Sequence, residues 1–159
     1  MYKPQLTIEQ VKTKLAKYCA FQERCTAEVL KKIDSYELNE DQTIDLIRWL
    51  TKEKFLDDRR FAKQFVHGKF YSKQWGRIKI RYELRKKEII ENFIETALKE
   101  EINDENYIET VQKLFHKKWT TLGLKKELTV QKKIQSYLQQ KGYEWEVIND
   151  VIQKYFNKK

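Results

Sequence analysis

The sequence predicts an all-α protein made of three tandem three-helix modules in an elongated, curved array. Three observations carry this expectation. Only four Gly and one Pro interrupt 159 residues, so few positions break helices and no glycine-rich phosphate loop is present. Three apolar triplets share one spacing, Val29-x3-Ile33-x4-Leu38, Ile80-x3-Leu84-x4-Ile89 and Ile134-x3-Leu138-x4-Tyr143, offset by 51 and 54 residues. With 40% hydrophobic and 36% charged residues, the chain is more polar than an average globular domain, which favours a thin molecule with much surface per residue.

Within each triplet the i, i+4 pair faces one side of a helix, and the five-residue step breaks helical phase and marks a turn. The elements follow in order. The first helix, expected over 7–19, opens on the capping box Thr7-x-x-Gln10. The second, 25–36, buries Val29 and Ile33; the third, 40–53, follows the turn at Leu38 and offers Ile44/Ile47. The fourth, 57–71, starts at Asp57-Asp58, whose carboxylates suit the free N–H groups and positive dipole of a helix start, and Phe61 anchors it one turn later. A metal or catalytic role for the pair would need a third carboxylate or a histidine at ligand spacing, and none is there.

The fifth helix, 74–87, carries Ile80 and Leu84; the sixth, 89–101, opens on Ile89 and offers Ile94/Leu98. The seventh, 104–119, echoes the fourth: Asn103-Asp104-Glu105-Asn106-Tyr107-Ile108 matches Asp57-Asp58-Arg59-Arg60-Phe61-Ala62 in kind. The eighth, 125–141, and ninth, 143–157, carry Ile134/Leu138 and Ile148/Ile152. The modules then run 1–56, 57–102 and 103–159. A unit of roughly 45–55 residues is marginal alone, so neighbours are expected to share buried surface.

Charge alternates in blocks. Residues 73–87 carry +6 of the net +9, residues 88–109 carry −7, and residues 110–141 carry +7. A basic chain points to an anionic partner, nucleic acid or an acidic protein surface. On the fifth helix Arg77, Arg81 and Arg85 step by four beside the core edge, Lys79 and Lys86 lie on another flank, and only Glu83 balances them within the helix. Trp75, Ile78 and Tyr82 form a second apolar stripe opposite the first, which a neighbouring module or a partner should cover. The expected contact residues are Arg59, Arg60, Lys73, Arg77, Lys79, Arg81, Arg85, Lys86 and Lys87.

Other residues read as structural. Cys19 and Cys25 lack a metal-ligand or CxxC spacing and read as reduced, partly buried thiols. His67 and His116 stand alone, and Trp49, Trp119 and Trp145 read as core. The doublets Lys117-Lys118, Lys125-Lys126 and Lys132-Lys133 read as solvated charge with a secondary, nonspecific attraction for phosphate. No catalytic, metal or cofactor site assembles, so the chain reads as a non-enzyme. The stretch MYKPQLTIEQ has no apolar signal core, and no run is long and apolar enough to span a membrane, so a cytoplasmic protein is expected. Nothing in the sequence forms a dimer motif, so a monomer is expected.

Two stretches resemble a known family. Phe55-Leu56-Asp57-Asp58-Arg59-Arg60-Phe61-Ala62, followed by Gln74-Trp75-Gly76-Arg77-Ile78-Lys79-Ile80-Arg81-Tyr82-Glu83-Leu84-Arg85-Lys86-Lys87-Glu88-Ile89, is similar to the central signature of the RecX regulatory family, and Glu23-Arg24-Cys25-Thr26-Ala27-Glu28-Val29 resembles its first-module motif. Asp57, Asp58, Phe61, Trp75, Gly76, Tyr82 and Leu84 carry the motif. Cys25 stands where a small hydroxyl residue is usual, and Lys54 and Glu88 where Gly is usual; Glu88 fits only if its turn needs no positive φ.

The resemblance implies three tandem three-helix modules. It also implies a modulator that binds the RecA recombinase filament along its groove, limits filament growth, inhibits its ATPase, strand-exchange and coprotease activities, and binds single- or double-stranded DNA weakly. A rival reading is a direct DNA-binding regulator of helix-turn-helix type, with 74–87 in the major groove. A nuclease would need a carboxylate cluster for metal that the sequence does not supply.

Overall fold

A computed structural model of the chain describes residues 5–157. Among these, nine α-helices and no strand form: α1 (Ile8–Phe21), α2 (Thr26–Ile33), α3 (Glu40–Lys52), α4 (Asp58–Tyr71), α5 (Arg77–Lys86), α6 (Glu91–Glu101), α7 (Asp104–Thr121), α8 (Leu128–Lys141) and α9 (Trp145–Phe156). A 3-10 turn over Asp34–Tyr36 extends α2. Side chains that end the preceding loops start four of the helices. Thr7 and Asn39 build capping boxes with Gln10 and Gln42, and Asp57 and Asn103 accept the backbone N–H of Arg60 and Asn106.

The triplet spacing marks the repeat. Val29 and Ile33 on α2, Ile80 and Leu84 on α5, and Ile134 and Leu138 on α8 are all buried. Each of these helices ends in a left-handed residue, Glu37 (φ 54°), Glu88 (φ 59°) or Gly142 (φ 96°), and an apolar residue follows it. The turn after α5 therefore does need a positive φ, against the sequence expectation. Glu88 adopts it at a cost that Gly would avoid, and Lys54 (φ 62°) does the same after α3.

The third helices follow the sequence pattern in two modules. Ile94 and Leu98, and Ile148 and Ile152, are buried, but α3 buries Leu46 and Leu50, leaves Ile47 half-buried, and exposes Ile44. Ile44 lies two residues before Leu46, about 200° round the helix, and cannot share its stripe.

The core divides unequally. Val11, Leu15, Cys19, Val29, Ile33, Leu46, Leu50 and Leu56 form one cluster confined to α1–α3 and the linker after it. The buried residues of α4–α9 form a second, continuous cluster that also takes in Cys25. The second and third modules thus share one core, while the first keeps its own. The molecule exposes 10692 Å², against roughly 8,500 Å² for a compact monomer of its mass; modules set side by side leave that additional surface open.

Candidate functional site

The helix that carries most of the predicted contacts, α5, starts in a joint between modules. Gly76 precedes it and has no side chain with which to cap it. The third module supplies the missing acceptors. Ile78 N–H donates to Gly142 O at 3.0 Å, and Arg77 N–H donates to the Tyr107 hydroxyl at 3.1 Å. Gly76 N–H donates to Lys141 O at 2.7 Å and Tyr143 O–H to Gln74 O at 2.7 Å. A Cβ on Gly76 would lie 2.3 Å from Gly142 O, and one on Gly142 would lie 2.3 Å from Lys79 Cβ. Both positions need glycine because two backbones meet there.

Arg77 closes the same joint. Its guanidinium lies over the Tyr107 ring, 3.9 Å from the centroid, and reaches Asp104 at 2.7 Å and Glu144 at 3.4 Å. Tyr107 O–H donates to Glu144. Burial, reinforced by that bond to a carboxylate, drives the Tyr107 pKa well above the ordinary phenol range.

The first and second modules meet at an analogous joint. Asp58 accepts the Thr26 N–H at 2.7 Å and its hydroxyl at 3.1 Å, so it caps α2 from the neighbouring module. Arg60 makes a bidentate pair with Glu23, both bonds 2.8 Å. The buried Cys25 thiol donates toward Glu28 at 3.3 Å, with Lys87 O 3.9 Å away. Desolvation pushes its pKa up to about 11. The acidic opening of α4 and its echo before α7 therefore share a division of labour. Asp57 and Asn103 cap their own helices, while Asp58 and Asp104 reach back to the start of the preceding module's middle helix.

The arginine ridge differs from the sequence expectation of weak compensation. Arg81 pairs with Glu95 at 2.8 Å and Arg85 with Glu91, both acids of α6, and Arg77 pairs with Asp104 and Glu144. The acidic block that follows in sequence folds back onto the basic one. Arg60 and Arg77 are thereby joint residues. Arg59 lies over the Phe93 ring, Lys86 sits 3.7 Å from Glu83, and Lys87 lies over Phe61.

Lys73 and Lys79 have no carboxylate within 4 Å among the described residues. Lys69 and Lys79 flank the half-buried Trp75 ring, at 4.8 and 4.4 Å from its centroid. The remainder of the second apolar stripe is uncovered: Ile78 is 49% and Tyr82 60% exposed. Among the described residues no neighbouring module covers them. Trp49 and Trp119 pack against the cores as expected, but Trp145, at the first turn of α9, is half-exposed.

Cys19 and Cys25 are free and buried. His67 is exposed and faces Glu101, and His116 is exposed beside Tyr155. Among the described residues no group of three His, Cys, Asp or Glu side chains could hold a metal ion, and no helix is long and apolar enough to cross a membrane.

Fold and joints together define a tandem three-helix-domain protein whose modules are stitched through helix starts. Two models of one family match the chain: the RecX second three-helix domain at residues 57–98 and the RecX third three-helix domain at residues 104–152. The chain belongs to the RecX family. It is 34% identical over 133 residues to the regulatory protein RecX of Clostridium acetobutylicum, covering 82% of this chain and 61% of that one. It is 32% identical over 151 residues to the protein of that name from Oceanobacillus iheyensis, covering 93% and 54%. The chain thus spans less than two thirds of either relative's length. The crystal structure of RecX from Lactobacillus salivarius superposes with a TM-score of 0.85 at 25% identity, covering 95% of this chain and 97% of that one.

Proposed function

We propose that this protein is a cytoplasmic modulator of the RecA recombinase. It binds the nucleoprotein filament, limits its growth and depresses its ATPase, strand-exchange and coprotease activities without chemistry of its own. The observation that carries the reading is the uncovered Ile78–Tyr82 strip on α5, the helix that bears the family motif. Apolar groups at the centre and charged groups at the rim match the anatomy of a protein–protein contact, and Arg81 and Arg85 flank the strip. Their guanidinium groups are held half in place by Glu95 and Glu91 and can exchange those surface partners for acids of the filament at little cost. Several modest module contacts in one rigid array add through effective concentration.

The rival helix-turn-helix reading requires the N-terminal residues of α5 to meet base edges in a groove. Those residues are engaged with Gly142, Tyr107 and Glu144, which argues against it. The test is co-sedimentation with cognate recombinase filaments on single-stranded DNA. The wild type should pellet with them and Ile78→Ser/Tyr82→Ser should not. Equal pelleting of the two would move the contact off this strip.

A further inference from the structure

The alternation of charge along the chain leaves one cationic block in which a single lysine has a carboxylate partner among the described residues. The three arginines of α5 are paired with Glu91 and Glu95 of α6, Asp104 of α7 and Glu144 just before α9, yet the second basic block, residues 110–141, keeps nearly all of its lysines free. Of its eight lysines only Lys113 has a carboxylate within 4 Å among the described residues, and that is Glu109 on its own helix.

The fold collects five of these free lysines, Lys117, Lys118, Lys132, Lys133 and Lys141, on α7 and α8 and brings Lys73 and Lys79 of the second module to them. At one end the joint brings Lys141 against the second module, where its ammonium donates to Lys73 O at 3.2 Å. Lys79 touches the adjacent Gly142 and leans on Trp75. At the other end Lys118, Lys132 and Lys133 line a cleft of about 330 Å³ with Ser136, Tyr137 and Gln140, and Lys118 lies over the Tyr137 ring. Lys117 sits between the two groups, next to Lys118 on α7. The ammonium groups feel one another. Partial burial, then Lys79, Lys117 and Lys73, lowers the Lys141 pKa, the response of a cation held among like charges with no anion to offset them.

We propose that this lysine track, running from the joint between the second and third modules along α7 and α8, is a binding site for the phosphodiester backbone of a nucleic acid strand. Three features favour phosphate over an acidic protein surface. The track is lined by lysine, which is depleted at the core of protein interfaces. The large apolar side chain lining the cleft, Tyr137, packs against the core and is not free to anchor a partner. Ser136, Tyr137 and Gln140 supply hydroxyl and amide donors of the kind that contact phosphate oxygens beside lysines. The track is separate from the Ile78–Tyr82 strip and does not depend on the reading of that strip.

The test is fluorescence anisotropy of a labelled single-stranded oligonucleotide over a series of salt concentrations, without recombinase. Each phosphate contact to a single strand contributes about −0.7 to the slope of log K against log salt. Lys132→Gln/Lys133→Gln should therefore flatten the slope by about 1.4 if both contacts are lost, and adding Lys73→Gln/Lys79→Gln should flatten it further. Lys14→Gln/Lys17→Gln, the same charge removed from α1, should leave it unchanged. Lys132 and Lys133 are exposed and pair with no acid among the described residues, so that variant should keep the wild-type circular dichroism. Unchanged slopes in both track variants, or equal flattening by the α1 variant, would overturn the proposal. Loss of recombinase inhibition with an unchanged slope on bare DNA would assign the track to an acidic protein surface and overturn it as well.

Discussion

Asp58, the first residue of α4, accepts the backbone N–H of Thr26, the first residue of α2, across the boundary between the first two modules at 2.7 Å. One module thus finishes the helix of another. The α5 start is completed in the same manner by Tyr107 and Gly142. The modules are joined by completed backbone hydrogen bonds as well as by apolar contact, which fixes their relative rotation.

Asp58→Ala should cost about 0.5–2 kcal/mol in urea denaturation, the usual cost of losing a cap. The first module should loosen before the rest, because its core is separate. Hydrogen exchange that quickened evenly in all three modules would contradict this division.

Gly76→Ala should destabilise by about 1–3 kcal/mol, since the new methyl must displace backbone at Gly142. Gly142→Ala should be at least as damaging because it adds left-handed strain to a clash with Lys79. Thermal unfolding of the two variants decides the matter; midpoints equal to wild type would mean the joint is loose in solution.

Glu88→Gly and Lys54→Gly should each raise stability by about 0.5–1 kcal/mol, relief of left-handed strain exceeding the entropy that glycine adds to the unfolded chain. A fall in the denaturation midpoint of both variants would show that these turns are unstrained.

Arg77→Ala should unfold more readily by about 1–3 kcal/mol, because it strips Glu144 and the Tyr107 ring of their partner in a half-buried joint. Arg85→Ala should leave the denaturation midpoint near that of wild type, since its pair lies at the surface, and Arg81→Ala, which frees only the exposed Glu95, should cost less than Arg77→Ala. Equal losses at all three positions would remove the distinction between joint and ridge.

The Cys25 thiol should resist alkylation at pH 8 in the folded protein. Its folded pKa of about 11 stands above the ordinary value of 9.0. The protonated form is favoured by folding, so this contribution to stability is present below about pH 9 and is lost as pH rises toward 11. Thermal midpoints measured from pH 7 to 11 should hold to about 9 and then fall. A midpoint that stayed level to pH 11 would count against it.

The repeat was legible in the sequence because period and phase survive in one dimension: Ile80, Leu84 and Ile89 announce a helix, a turn and a helix whatever lies around them. The cap at Asp57 was legible for the same local reason. What Asp58 does was not, since its acceptor role faces a helix 32 residues upstream. The arginines misled for a related reason. Counting charge within α5 found only Glu83, whereas Glu91 and Glu95 come from the next helix and Asp104 and Glu144 from the next module. The same folding-back that neutralises those arginines leaves most of the later lysine block unpaired, so Lys117-Lys118 and Lys132-Lys133 come together as a track only in three dimensions.

The most direct measurement is cognate recombinase ATPase on single-stranded DNA, titrated with wild type and with Ile78→Ser/Tyr82→Ser. The account predicts that wild type depresses turnover in a dose-dependent way and that the double variant, folded by circular dichroism, loses most of that effect. Undiminished turnover with wild type would contradict the proposed function, and undiminished inhibition by the double variant would contradict the role given to the α5 strip.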